Sequence, residues 1–544
     1  MAINKFSGKL FFFLALLLAF ESLARDICID PVMTGSGLVQ GLAETDTATC
    51  AWKGIPYAQP PVGELRWKAP RPAPSWAGIR AAHEWGHRCM QKGALGGPSR
   101  SGEDMSEDCL YLNVWRPAKP GNFPVMVWIH GGGYHTGASH EPAYWGDRLS
   151  EAGDVIVVST NYRLNIFGFM AHPGLREEDP HGSTGGYGTM DQAFALKWVH
   201  DNIEVFGGDP AHVTIFGESA GGASVCSMIA TPLARGLFHR AIFQSGSGNS
   251  SRSLDYAFQL ARESFAKAGC EFNDLECMRQ MPADRLLEKA AVSMLDSFDY
   301  FPCEDGWVLR ATPEQMIRSG DFNRVPIMVG SNLDEFARAV NLIPRYYFIL
   351  PSRYERYIHH RLGATPEEAK RLIELYPLDE FGNRPRRALG RMYASDAVLT
   401  CTVRSSASAI AEQGLPAYLY RFEYQGMKYA KFLGSFHGAE IPFIFGALDR
   451  PPASELFNEK NLAEARKLSR TMQGYCLNFA KTGDPNGDGL PAWERFDPAG
   501  QRVQILDTTV QNEPHPAAER CDFWDGYSQP YIQVINGLLK ELNP

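Results

Sequence analysis

Downstream of Val125, short apolar runs alternate with stretches whose apolar residues recur at three- and four-residue intervals. Residues 125–129, 155–160, 213–216, 241–243, 327–329, 418–422 and 503–506 are mostly apolar runs of strand length. Such runs, lacking a clean in-and-out alternation, are expected of strands covered on both faces. Between the second and third of them, Phe194, Trp198, Val199, Ile203 and Phe206 mark one amphipathic helix over 191–206, stopped by Gly207-Gly208. The pattern predicts an α/β fold: a large mixed, mostly parallel central sheet flanked by helices. Two stretches near 254–319 and 346–413, rich in Arg and aromatic residues, read as helical insertions rather than as separate domains. Neither a repeat nor a Pro/Ser linker interrupts the chain. The expectation is one domain over 25–544, with the insertions capping the edge where the strands end.

Composition narrows the class. Of 544 residues, 44% are hydrophobic and 21% charged, a globular balance. A net charge of -9 offers no basic face for nucleic acid or anionic membrane, so small-molecule chemistry is favoured. Lys5 and Lys9, the apolar run 10–20 and then Ser22-Leu23-Ala24 have the order of a secretory signal peptide over 1–24. That run is far short of the roughly 20 residues a membrane span needs, and no later segment qualifies. The expected location is therefore secreted or periplasmic, where disulfides persist. The chain has eleven cysteines, an odd count that leaves at least one thiol free. Spacing alone does not pair them, although Cys270 and Cys277 suit a short loop and Cys28 and Cys50 flank a turn-rich segment. Without CxxC or paired His spacing, no metal site is expected. Asn249-Ser250-Ser251 is a glycosylation sequon, meaningful only in a host that glycosylates.

The run 213–216 leads directly into Gly217-Glu218-Ser219-Ala220-Gly221. A G-x-S-x-G turn between strand and helix exposes its serine at a strained tip, which makes Ser219 the candidate nucleophile. A serine hydroxyl is weak near neutral pH and needs a histidine base held by a carboxylate. After 327–329 comes a loop with Asp334 and Glu335, and after 418–422 a loop with His437. Upstream, 125–129 runs into His130-Gly131-Gly132-Gly133-Tyr134, whose bare glycine amides suit a small anion. Gly132, Gly133 and Ala220 are the candidate oxyanion donors.

These residues bring out a resemblance to the type-B carboxylesterase and cholinesterase family of α/β-hydrolases, extending over nearly all of the mature sequence. Residues 53–58, 106–113, 161–164, 206–210 and 216–222 are similar to its signatures. The resemblance implies Ser219 as nucleophile, His437 as base and Glu335 as acid, with neighbouring Asp334 the alternative acid. It implies disulfides Cys89 with Cys109, Cys270 with Cys277 and Cys401 with Cys521; a bridge between Cys28 and Cys50 would be an addition. Glu218 and Glu440 match supporting positions, either stabilising the imidazolium or forming a buried network. No metal or organic cofactor is implied, and the partner is a small ester.

Departures bear on substrate. Family members that bind choline do so on a tryptophan between the cysteines matching Cys89 and Cys109, yet residues 90–108 contain no aromatic residue. Choline esters are therefore not expected. Phe298, Tyr300 and Phe301 fall near the family's acyl pocket, with ordinary core packing as the alternative. Arg338 stands where relatives often carry an apolar residue, and suggests a carboxylate-bearing acyl group; a surface arginine is the plainer reading. Two other functions stay open: a lipase acting on aggregated lipid, and an adhesion-type binding protein that keeps the fold without the chemistry.

Overall fold

A computed structural model describes residues 27–93, 105–291, 299–337, 349–361 and 364–527. The signal peptide expected over 1–24, Phe298, Arg338 and parts of both insertions lie outside the described residues. Each predicted apolar run forms a strand. In chain order the main sheet contains β1 (Leu42–Ala43), β2 (Thr49–Pro56), β3 (Tyr111–Pro117), β4 (Phe123–Ile129), β5 (Ile156–Thr160) and β6 (Gly208–Glu218). It continues with β7 (Arg240–Gln244), β8 (Ile327–Asn332), β9 (Ala417–Phe422), β10 (Arg502–Leu506) and β11 (Gln511–Pro514). The eleven strands lie in the order β11, β10, β9, β8, β7, β6, β4, β5, β3, β2, β1. All neighbours from β10 to β5 are parallel, and both edges are antiparallel.

Strand β4 shows why the apolar runs do not alternate. Val125, Val127 and Ile129 enter the core on one face, while Met126 and Trp128 enter the core on the other. Side chains on a strand point to opposite faces in turn, so two covered faces demand apolar residues throughout. Helices α1 (Tyr187–Asn202) and α2 (Ala220–Ala230) cover the first face. On the second face lies the long α3 (Glu459–Thr482), which contributes Leu468, Met472, Cys476 and Phe479. Helix α1 begins earlier than its periodicity indicated, and the predicted end over Ile203–Phe206 is a 3-10 turn closed by Gly207.

The antiparallel strands β2 and β3 escape the apolar pattern because they bury polar groups. Asn113 in β3 accepts from Gly54 N at 2.9 Å and donates to Ser139 Oγ and Ser159 Oγ, both at 3.1 Å. Arg116 donates to the carbonyls of Pro117, Phe206 and Lys119. Buried polar side chains are tolerated where such partners exist, and Gly54, Ser139, Ser159 and Phe206 lie far along the chain from them.

The second insertion carries its own small core, built from Tyr354, Ile358, Leu372, Tyr376, Leu389, Met392 and neighbours, with Phe336 packed against it. A π-helix, Met392–Thr400, is buried along its whole length. Disulfides join Cys28 to Cys50, Cys89 to Cys109, Cys270 to Cys277 and Cys401 to Cys521. Cys226, Cys303 and Cys476 are buried thiols, and burial pushes all three up in pKa. Among the described residues, no helix is long and apolar enough to cross a membrane.

Register assembles the site. Ile129 pairs with Gly217, Glu218 with Gln244, and Gln244 with Gly330, so these strands end side by side. The loops that follow them therefore meet at one edge, which in open α/β sheets is where ligands bind.

Candidate active site

Ser219 is the N-cap of α2, at φ 59° and ψ -124°, a conformation that non-glycine residues rarely adopt. Close packing forces this turn. A Cβ on Gly221 would lie 2.0 Å from the carbonyl oxygen of Ile129, so only glycine lets α2 start against β4. The Ser219 amide donates to Gln244 O at 2.9 Å and ties the tip to β7. Ala220 opens α2, where an amide has no acceptor within the helix. Among the described residues, its N–H and those of Gly132 and Gly133 have no hydrogen-bond acceptor. Three free amides near a helix N-terminus suit a small anion.

The candidate acid and base come from two loops zipped together. Asp334 N donates to Ser435 O at 3.0 Å, and His437 N to Glu335 O at 3.2 Å. Asn332 Nδ2 donates to Phe436 O at 2.7 Å. His437 Nδ1 lies 2.6 Å from Glu335 Oε2, and since a carboxylate only accepts, this nitrogen carries the proton. The other Glu335 oxygen accepts from Ser245 Oγ at 2.7 Å and Asn332 N at 2.6 Å. Asp334 faces elsewhere: its carboxylate accepts from Ser435 N at 3.0 Å and Arg391 Nη2 at 3.2 Å. Arg391 and Ser395 also donate to Leu333 O, so the π-helix grips the acid loop from behind.

Three carboxylates surround the imidazole. Glu218 Oε1 is 3.2 Å from His437 Nε2, and both atoms are buried without a hydrogen-bond partner. Glu440, fully buried, accepts from Gln244 Nε2 at 3.2 Å and from Asn332 Nδ2. Burial alone would lower His437, but the charges of Glu218, Glu335 and Glu440 outweigh it and raise its pKa to about 9. Burial raises Glu218 to about 8, opposed by His437 and reinforced by Glu440 and Glu335. For Glu440, burial and the Glu335 charge raise the pKa to about 7. Like charges close together in a desolvated space favour retention of a proton on Glu218 or Glu440.

Among the remaining candidates, Tyr300 is buried and shares a hydrogen bond with Ser264 Oγ at 2.5 Å. Phe301 packs edge-on against Tyr134 of the glycine loop, ring centroids 5.0 Å apart. Sequence reasoning missed Ser245, Asn332 and Gln244. A signal existed, since Ser245 stands two residues after the run 241–243, much as Ser219 stands three after 213–216. Tyr134, Ser219, Ser245 and Glu335 all hold positive φ, strain that gathers at working sites when surrounding contacts hold it.

This geometry agrees with the comparisons. The carboxylesterase family model matches residues 30–524. Para-nitrobenzyl esterase of Bacillus subtilis (strain 168) is 34% identical over 506 residues, covering 90% of this chain and 97% of that protein. Fumonisin B1 esterase of Sphingopyxis macrogoltabida is 35% identical over 481 residues, covering 86% and 85%. The crystal structure of a Geobacillus stearothermophilus carboxylesterase at pH 6.2 superposes with a TM-score of 0.79 at 34% identity, covering 91% of this chain and 99% of that one. The chain belongs to the carboxylesterase family of α/β-hydrolases, and it is a carboxylic ester hydrolase of the serine type.

Proposed function

We propose that the protein is an exported serine carboxylesterase acting through an acyl-enzyme, with residues 1–24 removed as a signal peptide and one catalytic domain over 25–544. Ser219 attacks the ester carbonyl while His437 Nε2 takes its proton, and Glu335 holds the Nδ1–H tautomer. Gly132, Gly133 and Ala220 stabilise the oxyanion. His437 returns the proton to the departing alcohol. It then activates a water that attacks the acyl-enzyme, releases the acid and regenerates Ser219. Glu218 and Glu440 favour the imidazolium formed in each half-reaction.

One observation carries this reading: the 2.6 Å contact between His437 and Glu335, beside an elbow that holds Ser219 at positive φ. Four disulfides support export, since such bonds persist in oxidising compartments. The absence of aromatic residues over 90–108 argues against choline esters. Arg338, close in sequence to Glu335, favours acyl groups bearing a carboxylate.

The test is a panel of neutral, cationic, long-chain and polycarboxylate esters, assayed with wild type and Ser219→Ala. Wild type is expected to hydrolyse neutral and carboxylate-bearing esters well and choline esters poorly, and the variant none. A wild type inactive on every ester, or a variant equal to it, overturns the mechanism. Equal turnover of neutral and anionic acyl esters by Arg338→Ala and wild type removes the carboxylate preference alone.

A further inference from the structure

The far end of the glycine loop that follows β4 is held from outside by the side chain of Gln91. Inside the loop, Gly132 O accepts from His135 N and Thr136 N, both at 3.0 Å, which curls residues 132–136 into a tight turn. The loop's far end, Gly137, sits at φ 111°, and a Cβ there would lie 2.5 Å from His130 Nδ1 and 2.6 Å from Gly131 O. Both ends of the loop are therefore in contact, and any movement of Gly137 is passed to the glycines that precede it. Gln91 grips this residue. Its Oε1 accepts from Gly137 N at 2.9 Å and its Nε2 donates to Gly137 O at 2.9 Å. The same Nε2 donates to Cys89 O at 3.0 Å, next to the Cys89–Cys109 disulfide. Gln91 is only 5% exposed.

The two bonds to Gly137 belong to different peptide planes, one on each side of its Cα. Holding both removes the torsional freedom that a glycine at positive φ otherwise keeps. A buried carboxamide paired this way gains little stability over an apolar residue of similar shape, but it specifies one geometry.

We propose that Gln91 is a positioning residue for the oxyanion loop: through Gly137 it holds the Gly132 and Gly133 amides where the tetrahedral oxyanion forms. This rests on the assignment of those amides made under Proposed function. Gln91 touches no reacting atom. Its removal lets the donors drift, which weakens transition-state binding more than substrate binding.

Two variants test it. Gln91→Met keeps the side chain's length and removes the hydrogen bonds to Gly137 N, Gly137 O and Cys89 O. Gln91→Glu keeps the acceptor for Gly137 N–H and sets a carboxylate against Gly137 O, which is repulsive until the carboxyl is protonated. Each is compared with wild type for kcat, KM and affinity for a trifluoromethyl ketone, whose serine adduct carries an oxyanion, against the matching methyl ketone. Gln91→Met is expected to lose about 10- to 100-fold in kcat, a fraction of what deleting an oxyanion donor costs, with KM changed by less than about threefold. Its trifluoromethyl ketone affinity is expected to fall in step, and its methyl ketone affinity to stay the same. For Gln91→Glu, kcat relative to wild type should recover as pH falls and the carboxyl regains a proton to donate. A merely structural loss predicts no such recovery. If folded Gln91→Met matches wild type in kcat and in trifluoromethyl ketone affinity, the proposal is overturned while the oxyanion assignment stands. If wild type itself binds the trifluoromethyl ketone no better than the methyl ketone, the oxyanion assignment fails and the proposal with it.

Discussion

The proposed nucleophile elbow and the proposed acid–base pair meet at the same sheet edge but are built in opposite ways. At the elbow, strand β6, Ser219 and α2 are consecutive, and the glycines that permit the turn lie within two residues of the serine. The geometry there is set by hard-sphere exclusion. Glu335 and His437 instead come from loops 102 residues apart, joined by hydrogen bonds that reach Ser245 at the end of β7, Asn332 in β8 and the π-helix. Exclusion leaves no intermediate state, whereas a hydrogen-bonded assembly weakens by steps. Damage to the elbow should therefore appear as lost stability, and damage to the pair as graded loss of rate.

Glu335→Gln is the largest test of that contrast. With the carboxylate gone the imidazole loses its fixed tautomer, and kcat is expected to fall about 10⁴-fold with the fold intact. Steady-state kinetics alongside thermal melting measure both; an equal loss of melting temperature and activity would blur the distinction. Next comes Gly221→Ala, whose Cβ meets the Ile129 carbonyl. It is expected to lose about 3 kcal/mol of stability, read from the urea midpoint at constant slope, and an unmoved midpoint would show that the elbow yields. Arg391→Leu removes a grip on the acid loop without touching the pair, so kcat should drop about tenfold at unchanged KM. If KM rises instead, the arginine serves substrate binding. The smallest effect is one of pH. His437 must be neutral to act as a base, and because neighbouring carboxylates raise it to about 9, kcat/KM should climb with pH toward that value. In Glu218→Gln one of the raising charges is gone, the pKa of His437 falls, and the climb should move to lower pH. A profile that stays in place would mean that Glu218 is uncharged throughout.

Legibility followed the same division. Strands β4 to β10 were visible because both of their faces are apolar, and Ser219 because its glycines are adjacent to it. Strand β3 was hidden by Asn113 and Arg116, polar residues acceptable only because distant segments offer them partners. The glycine loop was legible as far as Gly132 and Gly133. Its clamp, Gln91, was not, since nothing near that glutamine in sequence points to Gly137.

What the sequence determined by itself is the alternation of elements, the elbow, and the order in which the candidate nucleophile, acid and base appear. These follow from sterics and periodicity among neighbouring residues. Only the tertiary structure decided that Glu335 Oε2 lies 2.6 Å from His437 Nδ1, that Ser245 backs Glu335, and that Glu218 stands 3.2 Å from the imidazole. Those choices depend on strand order and register, which bring distant loops within a hydrogen bond of one another. Local pattern carries no record of such distances, because they arise only when the whole sheet is assembled.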